Sequence, residues 1–286
     1  MVEDGARGEQ AASGARPAGR HRAAHLTLSR ALSTLAAAVG LAFLVLPLVA
    51  LVWRAIEARA WNSLTQDGVL SAIGLSLVTT TIAIALIALF GTPLAYRLAR
   101  GRFPGRRLAL VLVELPIVLP PAVAGLALLL AFGRRGIFGP LLEQAGISLP
   151  FTTAAVVLAQ IFVSAPFFVR AAHVGFQEVP RELEDAALVD GASSFALFRH
   201  ITLPITRRAL GAGLILSWAR ALGEFGATIL FAGSLEGRTQ TMPLFIYNIF
   251  ERDLNAAIWA GVLLVGLALL ALLASHALAR TPEKTW

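Results

Sequence analysis

Apolar positions along the chain gather into six long blocks separated by short polar intervals. The runs lie at about residues 31–53, 69–95, 108–132, 152–172, 208–232 and 257–279. A hydrocarbon core about 30 Å thick is crossed by about 20 helical residues, so each run is long enough to span it. Lipid gives backbone groups no hydrogen-bonding partner, so all six are expected to be helical. Pro116, Pro120 and Pro121 fall inside the third run and predict a break or kink there. Irregular backbone of that kind is tolerated at membrane depth where protein or a cavity covers it. The first run, about Ala31 to Trp53, follows several Arg residues, and Ala58-Arg59-Ala60 offers a cleavage-like site. A signal-peptide core has about 7–15 apolar residues, so this longer run is expected to be a retained first helix.

The polar intervals give an orientation. Arg and Lys number five in the N-terminal 1–30, five in 96–107, five in 170–208, and two (Arg280 and Lys284) at the C-terminus. The alternate intervals hold two each: Arg54 and Arg59, Arg134 and Arg135, Arg238 and Arg252. By the positive-inside rule both termini and the 177–207 interval are expected on the cytoplasmic side of the inner membrane. Residues 1–30 are Gly-, Ala-, Arg- and Ser-rich without apolar periodicity and are expected to be a disordered basic tail. The expected organisation is thus a 1–30 tail, a six-span all-α domain over 31–280 that includes the 177–207 loop, and a 281–286 tail.

Composition agrees and removes some function classes. The chain is 57% hydrophobic and 14% charged, with a mean hydropathy of +0.74, whereas soluble domains carry about 25% charged residues. The net charge of +7 reports orientation before anything else, and no soluble basic domain is present to bind nucleic acid. Cysteine is absent, so thiolate metal sites are excluded, and the five His are scattered without a His-Glu-x-x-His pattern. No metal or cofactor is expected in this chain. Lys284 is the only lysine, so no phosphate-cradling P-loop exists, and any ATP and Mg must be held by another chain.

The stretch Gln177–Arg208 is the longest polar-rich interval. Pro180 suits a helix start, and Glu182, Glu184 and Asp185 complement the N-terminal dipole. Leu183, Ala187, Phe195 and Phe198 supply apolar contacts. Two readings fit this pattern: an amphipathic helix docking in a partner's groove, or a solvated helix lying on the headgroups. Further on, Arg220 and Glu224 stand at i and i+4 inside the fifth run, amid Trp218-Ala219-Arg220-Ala221-Leu222-Gly223-Glu224-Phe225-Gly226-Ala227-Thr228. Charges at this depth cost about 2.5–3.5 kcal/mol each on insertion scales and face a bundle interior or a water-filled path. They either lock helices together or help shape a path for an anion.

Asp185-Ala186-Ala187, Gly191 and Ile201-x-Leu203-Pro204 resemble the EAA signature of ABC-importer permeases, E-A-A-x3-G-x9-I-x-L-P, at every spacing, with Asp185 in place of the usual Glu. The resemblance implies that Glu184, Asp185, Ala186, Ala187, Gly191, Ile201, Leu203 and Pro204 belong to a cytoplasmic coupling helix docked on an ATP-binding subunit. The Ala219–Thr228 run resembles the fifth-span signature of molybdate and sulfate permeases. Glu114-Leu115-Pro116, Leu119-Pro120-Pro121, Gly133-Arg134-Arg135-Gly136, Pro150-Phe151-Thr152-Thr153 and the stretch from Gly233 to Tyr247 resemble the molybdate branch. The likeness covers residues 31–280. It implies a homodimeric permease with two copies of an ATP-binding cassette subunit and an extracytoplasmic molybdate-binding protein, moving molybdate by alternating access and catalysing no bond breakage itself. Arg220, Gly223, Glu224, Gly226 and Thr228 are then the expected pathway residues. Arg134, Arg135, Arg238, Thr239 and Gln240 are expected to face the binding protein. Sulfate or tungstate import by the same machinery is the alternative. A secondary transporter is more distant, because it would require midplane ion sites and internal repeats.

Overall fold

The computed structural model describes residues 18–61 and 68–279. Most of the expected tails, at 1–17 and 280–286, lies outside the described residues. The elements are helices α1 (Ala18–Glu57), α2 (Val69–Arg100), α3 (Arg106–Val118), α4 (Pro121–Phe132), α5 (Gly139–Gln144), α6 (Thr153–Glu178), α7 (Arg181–Val189), α8 (Ser194–Leu197), α9 (Leu203–Leu222), α10 (Gly226–Phe231), α11 (Met242–Ile249) and α12 (Leu254–Ala279), with a π-helical turn at Phe198–Thr202. Among the described residues there are no strands.

The chain divides at Trp53, so that α1 up to that residue is one unit and everything from Arg54 is another. Helix α1 begins at Ala18, inside the interval expected as a tail. The sequence after Ala18 contains no proline before Pro47 and several good helix formers, so nothing local ends the helix at residue 30.

Helix α6 is the centre of the second unit. Over half of its apolar window (56%) is buried, against 28% for α2 and 22% for α12. One half of α6 packs through Phe168, Val169, Ala172 and Phe176 against Ile87, Ala95 and Leu98 of α2 and Leu210 of α9. The other half, through Ala155, Val156, Ala159 and Val163, packs against Ala124 and Leu128 of α4 and Ala227 and Phe231 of α10. A third cluster joins Val69 and Ala72 of α2 to Met242 and Phe245 of α11 and Ala260 of α12. Small residues set the α6–α9 distance: a Cβ on Gly175 would lie 2.6 Å from Ala209 Cβ, and one on Gly213 would lie 2.8 Å from Ala171 Cβ. In lipid, where burial of apolar surface does not drive helices together, such close backbone approach supplies packing. Polar bonds add to it. Gln160 Nε2 donates to Thr80 Oγ1 at 3.1 Å and to the Ala221 carbonyl at 3.3 Å, and Ser217 Oγ donates to the Ser164 carbonyl at 3.0 Å.

Two of the six apolar runs are not single helices. Helices α3 and α4 meet at 118°, as the prolines predict: Pro120 and Pro121 carry no N–H to continue the ladder, and Pro121 starts α4, where none is needed. The fifth run, expected as one span, is also interrupted: α9 ends at Leu222 and α10 begins at Gly226. Among the described residues, four helices are long and apolar enough to cross a membrane, or five if α3 and α4 count as one.

Candidate functional site

The segment from Pro180 to Pro204, expected to be the coupling segment, is shaped by its own local chemistry. Pro180 stands just before α7 with φ −60°, and Glu182 and Glu184 occupy the first turn. The far end is closed by a Schellman motif. Ala192 N–H donates to the Ala187 carbonyl at 2.9 Å and Gly191 N–H to the Leu188 carbonyl at 3.1 Å. Gly191 takes φ +85°, the left-handed conformation that this cap demands and that a Cβ disfavours. Ser193 then caps α8 by accepting from Ala196 N–H at 3.2 Å. Ahead of α9 the ladder widens into the π turn, whose closing bond runs from Leu203 N–H to the Phe198 carbonyl. Pro204 follows directly, and a residue without an N–H removes the competing α-helical bond at that step.

The faces of this segment differ. Asp185 and Ala186 are exposed, and Val189 is 86% exposed and Phe195 70%. Large apolar side chains this bare at the tip of a capped hairpin form the kind of surface that a partner can cover. Phe198 instead turns inward, edge-on to Tyr96 at 5.5 Å and near Phe176 at 6.2 Å. Glu184 also turns inward and is buried. Its carboxylate accepts from Thr202 Oγ1 at 3.1 Å and pairs with Arg100 Nε at 3.3 Å. Ile201 is half-buried, and Leu203 and Pro204 are exposed at the start of α9.

The second constellation lies at the break between α9 and α10. Arg220 Nη1 and Glu224 Oε2 are 2.9 Å apart, with the Glu224 side chain 1% exposed and that of Arg220 30%. The other Glu224 oxygen accepts from Ala227 N–H at 2.8 Å. One buried carboxylate therefore neutralises the guanidinium and caps α10, an end that has no other side-chain cap. Close packing fixes the break against the other one. A Cβ on Gly226 would lie 2.5 Å from Pro121 Cβ, and one on Gly125 would lie 2.8 Å from the Ala227 carbonyl oxygen. The starts of α4 and α10 are thus pressed together. Gly223 is exposed beside them, and Thr228 is buried with no hydrogen-bond partner for its hydroxyl. Arg220 is held in place with part of its donor fork accessible, an arrangement able to present N–H groups to an anion.

The loop residues separate into two kinds. Arg134, Arg135 and Arg238 are exposed. Thr239 is buried and accepts from Leu235 N–H at 2.8 Å. Gln240 donates to Ser234 Oγ at 3.4 Å. Thr239 and Gln240 pin their own loop, a role their polar sequence context does not distinguish from exposure. Arg100, Thr202 and Gln160 escape a motif search altogether. Arg100 reads as one more basic residue in a loop-flanking cluster, Thr202 as the unspecified position of Ile201-x-Leu203-Pro204, and Gln160 as an ordinary polar residue in an oily helix.

Known proteins give this geometry a context. Residues 88–281 match the family described as "Binding-protein-dependent transport system inner membrane component". The molybdenum transport system permease protein ModB of Mycobacterium tuberculosis is 43% identical over 251 residues, covering 88% of this chain and 94% of that protein. A probable molybdenum ABC transporter permease of Haloferax volcanii is 40% identical over 256 residues, with 88% and 91% covered. The sulfate transport system permease protein CysW of Escherichia coli is 38% identical over 194 residues, with 68% and 66% covered. Among solved structures, a bacterial alginate ABC transporter bound to its periplasmic protein superposes with a TM-score of 0.70 at 18% identity, covering 92% of this chain and 97% of that one. A match across most of the chain, together with these relatives, makes it a member of the binding-protein-dependent transport system inner membrane component family.

Proposed function

We propose that the chain is the permease subunit of an ATP-driven importer that carries molybdate across the inner membrane. The near-full-length likeness to molybdenum permeases carries this reading, because the sulfate permease of Escherichia coli aligns over a shorter stretch. Two copies of the chain enclose the path. Two ATP-binding cassette subunits hold ATP and Mg, an extracytoplasmic binding protein delivers the oxyanion, and lipid surrounds the bundle. Six spans follow when α3 with α4, and α9 with α10, are each counted as one. The Arg distribution supports cytoplasmic termini.

The physical steps follow from the two constellations. Asp185, Ala186, Leu188, Val189 and Phe195 form the surface that meets the ATPase, and Gly191 holds its shape. Closure of the ATPase pair moves α7, and α9 carries the displacement to the breaks beside Pro121 and Gly226. Helices in two pieces there can change their mutual angle without unwinding a continuous ladder. Arg220, oriented by Glu224, faces the passing dianion, with Gly223, Gly226 and Thr228 beside it. Arg134, Arg135 and Arg238 steer the binding protein on the outer side.

Deleting the gene tests the reading in cells. High-affinity uptake of labelled molybdate should be lost and sulfate uptake retained. Loss of sulfate uptake with molybdate uptake intact would move the cargo to sulfate.

A further inference from the structure

The buried carboxylate on α7 belongs to a chain of contacts that no exposed docking residue shares. Arg100, the last residue of α2, holds both sides of the junction between α6 and α7. Its Nη2 donates to the Val179 carbonyl at 2.6 Å, and its Nε lies 3.3 Å from Glu184 Oε2. Both side chains are nearly sealed, at 13% and 11% exposure. The second Glu184 oxygen takes the Thr202 hydroxyl, and Thr202, itself fully buried, ends the π turn. Thr206 Oγ1 then donates to the Thr202 carbonyl at 2.8 Å, one turn into α9. The Tyr96, Phe176 and Phe198 rings brace the same corner.

We infer that Arg100, Glu184 and Thr202 form an internal strut that transmits displacement of α7 to α2 and α9, so that Glu184 is a positioning residue for transport and makes no contact with the ATPase. The inference rests on the docking role proposed for α7. Sequence spacing places Glu184 beside Asp185 in the motif, but the two side chains have opposite tasks. Asp185 is exposed on the docking side, whereas Glu184 converts the movement of a short surface helix into movement of two long ones. Arg100 Nε has no hydrogen-bond partner, so its link to Glu184 is an ion pair, and the charge-assisted hydrogen bond to the carboxylate comes from Thr202. A buried link of this kind suits the task because it resists sliding in a way that apolar contact does not. The π turn suits it too, since such insertions occur at functional sites where a ladder must yield locally.

The test uses the complete importer in proteoliposomes, with molybdate uptake and ATP hydrolysis measured together. Glu184→Gln keeps the shape and removes the charge. Thr202→Val keeps the volume and removes the donor, and Thr202→Ser restores the donor. Oxyanion carried per ATP should fall about three- to tenfold in Glu184→Gln and Thr202→Val, the range expected for one lost polar link, and stay near wild type in Thr202→Ser. A merely structural role would lower uptake and hydrolysis together and leave their ratio unchanged. An unchanged ratio in Thr202→Val, or an equal drop in Thr202→Ser, overturns the strut, and this decides the matter even if Glu184→Gln does not assemble. Crosslinks from a cysteine at Val189 to the ATPase distinguish the two levels. Their absence in the otherwise wild-type importer breaks the docking role itself, whereas their presence with an unchanged ratio breaks the strut alone.

Discussion

The α7–α9 segment, proposed to couple to the ATPase, and the break between α9 and α10 both carry charged residues in a motif-like run, yet they use them oppositely. At the coupling end the burial is selective. Glu184 is buried and bonded while Val189 and Phe195 stand bare, so the local fold is secured from behind and the front is left free for a partner. At the break the carboxylate and the packing turn inward: Glu224 is buried, holds Arg220 and caps α10 with its two oxygens, and Gly226 lies against Pro121, while part of Arg220 stays accessible. The first region should therefore tolerate change structurally and fail functionally. The second should fail structurally first.

Glu224→Ala is the severest way to break that contrast. It leaves Arg220 without its partner and α10 without its cap, and should cost about 3 kcal/mol, the low end for a broken buried pair because Arg220 is partly exposed. Thermal unfolding of the purified permease should show the lowest midpoint of the set. Gly226→Ala comes next. Its methyl group meets Pro121 and must push the two helix starts apart, which should cost about 1–3 kcal/mol by the same measurement. Replacing Arg220 and Glu224 together with Gln sharpens the pathway side: the protein should unfold close to wild type but lose transport, whereas retained transport would mean that the pair only locks the bundle. Gly191→Ala should cost about 1 kcal/mol through left-handed strain. Val189→Asp should change stability by less than about 0.5 kcal/mol while abolishing co-purification of the ATPase. A Val189→Asp protein that keeps its ATPase would erase the distinction between the two regions.

Legibility in the sequence follows the same division. Runs of apolar residues are read easily because lipid demands them, so all-helical architecture and the proline break at Leu119–Pro120 were open to prediction. The break at Gly223–Phe225 was hidden, because Leu, Phe and Ile continue on both sides and hydropathy does not register a cap. The available signal was a carboxylate between two glycines, Gly223-Glu224-Phe225-Gly226, in the middle of an oily run. The EAA spacing was legible because it repeats a local geometry: a helix of fixed length, a left-handed glycine and a proline that restarts the chain. Which way each side chain turns was not legible. Glu184 and Asp185 are chemically similar neighbours, and the positions of Arg100 and Thr202, both distant in sequence, turn one of them inward. Thr239, expected to face the binding protein, is buried and holds its own loop's backbone, a local partner that its polar surroundings in the sequence do not reveal.

Cargo remains the central claim, and competition in the reconstituted importer tests it most directly. With the permease, its ATPase and its binding protein in proteoliposomes, ATP-dependent uptake of labelled molybdate is measured against excess tungstate or excess sulfate. Tungstate, close to molybdate in size and equal in charge, should suppress uptake strongly, and sulfate should leave most of it. Suppression by sulfate at the lower concentration would contradict the assignment and make the chain a sulfate permease.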